Sequence, residues 1–145
     1  MTTKNRRSAR TLALQALYEL DCTNHPLEAV MLERLEEVQL DDEQRGYAYA
    51  IINGVRDHRT EIDMIIQRFA PEWPLDQVAI IDRSLLRMAI FEFAFAKDTP
   101  AAVAINEAVD LAKLFGSESA PRFVNGVLGS VVARESDWWL EGKTA

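Results

Sequence analysis

The sequence predicts an all-α protein, a compact helical bundle of about six to seven helices in two small subdomains. Three observations carry this. Apolar residues recur at i, i+3, i+4 and i+7 along most of the 145 residues. No segment alternates as a half-buried strand would, and there is no tandem repeat or low-complexity tract. The breaks between periodic segments are short and marked by Pro, Gly or Asp.

Residues 4–22 read as the first helix, with Ala9, Leu12, Ala13, Ala16, Leu17 and Leu20 as its apolar stripe. The stretch TNHP at 23–26 ends it, because Pro26 disfavours helical geometry in the residue before it. Residues 27–39 form a second, shorter helix on Leu27, Val30, Met31, Leu35 and Val38. Asp41 or Asp42 is placed to cap a third. Its period runs through Tyr47, Ile51, Val55, Ile62, Ile66 and Phe69 to about Ala70, despite Gly54, which costs about 1 kcal/mol relative to Ala.

Pro71 and Pro74 bracket Glu72 and Trp73 as the candidate hinge between an N-terminal lobe, 1–71, and a C-terminal lobe, 75–136. Residues 137–145 are a tail containing Trp138 and Trp139. A fourth helix spans about 78–97 on Ile81, Leu85, Met88, Ala89 and Phe93. Thr99 as N-cap and Pro100 at the first helical position open a fifth over 100–115, and Gly116 fits its C′ position. A sixth covers 119–135.

Composition bounds the function. Hydrophobic residues make up 48% and charged residues 27%, as in an ordinary globular protein. One cysteine, Cys22, excludes a disulfide framework and a paired-cysteine metal or redox motif. His25 and His58 are too far apart for a ligand spacing, so neither metal nor cofactor is expected. No Gly-rich phosphate loop and no nucleophile–base set is legible, so the chain reads as a non-enzyme. With no signal segment and no membrane-length apolar run, the expected compartment is the cytoplasm.

The net charge of −7 argues at first against nucleic acid. Its distribution reverses that. Residues 1–18 contain Lys4, Arg6, Arg7 and Arg10 and no acid, so they carry +4 and leave −11 on the other 127 residues. On a helical wheel, Arg7, Thr11 and Tyr18 lie opposite the apolar stripe, Arg10 and Leu14 on one flank, and Gln15 on the other. The residues alone leave two readings of this face open. Either arginines, Tyr18 and Leu14 contact RNA or a protein partner, or the arginines are solvated while Leu14 and Tyr18 pack under the second lobe.

A second candidate is Arg122-Phe123 at the start of the sixth helix, where free backbone N–H groups favour anions. Pattern alone assigns Phe123 to the core. Asn106 and Asn125, within apolar helices, read as buried amides making cross-helix hydrogen bonds.

Three blocks carry a family resemblance: RRSARTLALQALYELD at 6–21, IIDRSLLRMAIFEF at 80–93, and VAINEAVDLAKLFGSESAPRFVNGVLGSV at 103–131. Together they resemble the NusB family of bacterial transcription antitermination factors. The resemblance implies two helical subdomains. It also implies binding of boxA-type single-stranded RNA together with the ribosomal protein NusE, in a complex that joins RNA polymerase and suppresses premature termination. Lys4, Arg6, Arg7 and Arg10 match the arginine-rich motif, with Gln15 beside it. Arg122 and Phe123 match the second RNA-contacting region, which moves Phe123 from core to RNA contact.

On the NusE side the resemblance implies Tyr18 and Asp82, with Leu14, Phe69 and Leu86 added. Ser8 interrupts an arginine run that is denser in some family members, which with the acidic body implies weak RNA binding without NusE. The alternatives are a homodimeric helical interaction module using the first helix, and a domain related to the N-terminal part of ribosomal RNA cytosine methyltransferases, without catalysis.

Overall fold

The computed structural model describes residues 3–134, with side chains from Arg6 onward. The side chain of Lys4, and Trp138 and Trp139, lie outside the described residues. Seven α-helices and no strand occur among the described residues. They are α1 (Thr3–Cys22), α2 (Leu27–Glu37), α3 (Asp42–Asp57), α4 (Arg59–Phe69), α5 (Ile80–Ile90), α6 (Ala101–Phe115) and α7 (Ala120–Ala133). None is long and apolar enough to cross a membrane. The helices group into two units that divide between Asp57 and His58.

In the first unit α1 packs on α3 and α2. Ala9, Leu12, Ala13, Ala16 and Leu17 are buried as their spacing requires, and Leu20 is half-buried. The carboxylate of Glu19 joins the end of α1 to α2. It accepts from His25 Nδ1 at 2.8 Å and from Arg34 Nη2 at 3.2 Å. These contacts, that from His25 first, hold its pKa below the ordinary carboxylate value. α2 ends at Glu37, short of the expected 39, and only Val30 and Met31 of its stripe are fully buried. α3 opens on a reciprocal cap. Gln44 N donates to Asp41 Oδ1 at 2.7 Å and Asp41 N donates to Gln44 Oε1 at 3.0 Å.

The expected third helix is two helices. His58, at φ −107 and ψ 14, leaves helical geometry, and α4 restarts with Ile62 N donating to His58 O. Val55 and Ile62 are seven residues apart, so the apolar period passes over the break unaltered. Since the second unit begins at His58, α4 groups with it, whereas the sequence reading puts α4 in the first lobe. The Pro71–Pro74 segment therefore lies inside the second unit. There Gln67 pins it, donating to Trp73 O at 2.9 Å and accepting from Leu75 N at 3.1 Å.

α5 is the centre of the second unit and packs on α4, α6 and α7. Ser84 through Ile90 are all buried, which makes it a helix covered on every side. That burial includes Arg87, whose guanidinium forks onto Asp63 of α4 (Nε–Oδ1 2.8 Å, Nη2–Oδ2 3.2 Å). After Ile90 the expected single helix widens into a π-helical turn, Phe91–Ala96, which stops at Lys97 in the left-handed region (φ 57). His58 lies beside this turn, its ring 4.7 Å from Phe95 and 6.2 Å from Phe91, centroid to centroid.

α6 starts one residue later than expected, with Pro100 as the N-cap residue. Gly116 ends it, but in extended geometry (φ −92, ψ 178) rather than the left-handed cap the sequence suggests. Its glycine is required by proximity. A Cβ there would stand 2.5 Å from Ala120 Cβ and 2.9 Å from Ala112 O. The backbone turn between α6 and α7 closes only because that atom is missing.

Two stability predictions follow from these contacts. Gly116→Ala is expected to cost about 2 kcal/mol by overpacking the α6–α7 turn, measured by denaturant unfolding. Asp63→Ala is expected to cost about 3 kcal/mol, because it removes the forked carboxylate from a buried guanidinium. A loss below 0.5 kcal/mol would show that Arg87 does not depend on this pair.

Candidate nucleic-acid interface

The basic end of α1 is built on an aromatic ring from α3. Arg6 and Arg10, one helical turn apart, lie on the same side of α1. The Cζ of Arg6 is 4.7 Å from the centroid of the Tyr47 ring, and that of Arg10 is 5.5 Å from it. Arg10 Nη2 also donates to Tyr47 Oη at 3.2 Å. The negative face of the ring attracts both cations. Arg10 is only 2% exposed, Arg6 is half-buried and Arg7 is exposed. Thr11 Oγ1 returns a hydrogen bond to Arg7 O at 2.9 Å.

Sequence reasoning missed Tyr47 as part of this site. Its place in the apolar period of α3 made it a core residue, and nothing in one dimension ties it to arginines 37 and 41 positions earlier. The structure leaves it half-buried, with its hydroxyl engaged.

Further along α1, Gln15 is half-buried and Tyr18 is 42% exposed. Leu14, one turn before Tyr18, differs from them in burial. It is fully buried, because α1 is covered by two helices and buries a wider arc than one stripe. Leu14 is thereby corrected from a partner contact to a core residue.

In the second unit, Arg122 is exposed and Phe123 half-buried in the first turn of α7. Phe123 N donates to Ser119 O at 3.1 Å, and Pro121 occupies the first turn, where no donor is needed. Phe69 is half-buried, with the Cζ atoms of Arg68 and Arg134 each 5.9 Å from its ring centroid. Leu86 is fully buried within α5 and is likewise corrected from a partner contact to core. Asn106 and Asn125 are both exposed, so neither is the buried amide the sequence suggests. The buried polar residue of α6 is instead Glu107, next in sequence to Asn106.

Asp82 is the unusual carboxylate. It lies in the first turn of α5, is 8% exposed, and its Oδ1 has no hydrogen-bond partner among the described residues. Desolvation pushes its pKa above the ordinary aspartate value.

These surfaces belong to a known helical class. The sequence model of the NusB family matches residues 7–133. The transcription antitermination protein NusB of Roseiflexus castenholzii (strain DSM 13941 / HLO8) is 46% identical over 131 residues, which covers 89% of this chain and 92% of that one. The Bacillus subtilis (strain 168) protein of the same name is 38% identical over 126 residues, covering 87% and 93%. The chain belongs to the NusB family.

Among solved structures, T. maritima NusB superposes with a TM-score of 0.79 at 34% identity, over 87% of this chain and 89% of that one. A crystal structure of the antitermination factors NusB and NusE in complex with dsRNA gives a TM-score of 0.79 at 29% identity, over 90% and 97%.

Asp82 generates a pH prediction. A buried acid with a raised pKa binds its proton more tightly folded than unfolded, so its charge costs stability at neutral pH. That cost shrinks as pH falls through the raised value and is gone below the ordinary aspartate range. Asp82→Asn is therefore expected to raise Tm at pH 7, with the gain vanishing in acid. A variant less stable than the parent at pH 7 would contradict this.

Proposed function

We propose that the chain is a transcription antitermination factor that binds single-stranded nascent RNA of the boxA type together with the ribosomal protein NusE. The observation that carries the reading is the basic end of α1, where Arg6 and Arg10 are ordered over Tyr47 beside an exposed Arg7, in a chain otherwise strongly acidic. Family membership and the likeness to a NusB–NusE–dsRNA complex support it.

The mechanism is recognition without catalysis. Arginines neutralise phosphates, and unstacked bases lie on aromatic or guanidinium planes. Lys4 adds a further positive charge at the same end. Arg122 and Phe123 supply a second contact of the same chemistry, an exposed cation beside a half-buried ring. Gln15, on α1 beyond Arg10, offers amide donors and an acceptor to a base edge.

Tyr18, Asp82 and Phe69 serve NusE. Asp82 is the acid of this set, with Oδ1 enclosed in the free chain, so NusE would meet it through the small part of the residue that is exposed. The acidic remainder of the chain repels other nucleic acids, so affinity for RNA depends on the joint surface with NusE. RNA polymerase is engaged through that complex, in the cytoplasm.

RNA binding to a boxA-like and a scrambled strand, with and without purified NusE, tests the reading. Binding is expected to prefer boxA, to tighten with NusE, and to fall with salt at a log–log slope of roughly −2 to −3 for three or four phosphates. Replacing Arg6, Arg7 and Arg10 together by Ala, with helicity kept, is expected to abolish it. Unchanged binding by that variant would overturn the proposal.

A further inference from the structure

Four basic residues at one helix end invite the assumption that each neutralises a phosphate. Burial and geometry separate them. Arg7 is exposed, whereas Arg10 presents only 2% of its surface and donates to the Tyr47 hydroxyl. A guanidinium so covered cannot reach a phosphate where it stands. Arg6 lies between these cases. It is half-buried, closer to the ring than Arg10, and has surface left for a ligand.

We propose that Arg10 and Tyr47 are positioning residues of the RNA-binding end: Arg10 locks the Tyr47 ring, and the ring aims Arg6, while Arg6 and Arg7 make the phosphate contacts. The inference rests on the functional reading above and deepens it.

The electrostatics favour this division. Two guanidiniums over one ring repel each other, and the ring quadrupole and hydroxyl act against that repulsion. A phosphate arriving at Arg6 brings negative charge to the same cluster and acts in the same direction. Arg10 then contributes through geometry. Its fork and flat face are what the contact with Tyr47 uses, and a lysine carrying the same charge lacks both.

The test measures affinity for a boxA-like RNA oligonucleotide, with NusE present, across a salt series. Arg7→Ala is expected to weaken binding and reduce the magnitude of the salt slope by about 0.7, the loss of one phosphate. Arg10→Lys is expected to weaken binding by about tenfold with the slope unchanged. Tyr47→Leu should behave like Arg10→Lys, and combining the two should cost little more than either. Tyr47→Phe, which keeps the ring and removes only the hydroxyl, should lose less.

Parent-like binding by Arg10→Lys, with Arg10→Ala losing the same slope as Arg7→Ala, would make Arg10 a phosphate ligand and overturn the inference. So would variants whose melting temperature falls while RNA affinity well below melting does not. Absence of salt-dependent binding by the unaltered protein with NusE would instead overturn the functional reading, and this inference with it.

Discussion

The ring of Tyr47 takes two guanidiniums on a half-buried surface, and the basic end of the first unit is organised by that contact. Without it, the first turns of α1 would be an ordinary charged helix end, with side chains sampling many rotamers in water. With it, one positive charge is drawn into the structure and another is held at a defined place beside an exposed third. The packing of α1 on α3 is what makes it available, since the ring comes from the second turn of α3. The apolar core of the first unit and its basic surface are in this sense one construction.

The second unit solves a different problem. Its central helix is enclosed, yet carries Asp82, Ser84 and Arg87. Arg87 is satisfied by a forked pair with Asp63, so its charge helps fix α5 against α4. Asp82 keeps an oxygen unpartnered near the α6–α7 turn, about 3.5 Å from where a Cβ on Gly116 would stand. An uncompensated buried carboxyl costs stability in the free chain. The same helix thus holds one charge that is paired and a carboxyl with one oxygen that is not.

Much of this was legible in the sequence. Helical class, the bounds of α1, α6 and α7 to within a residue or two, and the basic end all follow from spacing and local composition. What was not legible depends on geometry that a one-dimensional period cannot carry. The break at His58 is invisible because Val55 and Ile62 keep phase across it. The π turn at Phe91–Ala96 leaves the apolar pattern intact while changing its backbone.

Single-residue burial was the weaker level. Leu14 and Leu86 read as surface contacts and are core, because each sits on a helix covered by more than one neighbour. Asn106 and Asn125 read as core and are exposed. At the site, the arginines announced themselves by composition, while Tyr47 did not, since an aromatic on an apolar stripe looks like packing. Charge followed a similar course. The total of −7 points away from nucleic acid, and only its division into a +4 end and a −11 remainder points toward it.

The central claim is that RNA meets this chain at the basic end of α1. NMR titration of the isotopically labelled protein, in complex with unlabelled NusE, with a boxA-like RNA reads that contact directly. The account predicts that the largest shift changes fall on residues 6–15 and on Arg122 and Phe123, including the side-chain Nε signals of Arg6 and Arg7. Changes concentrated elsewhere, with α1 unperturbed, would contradict it.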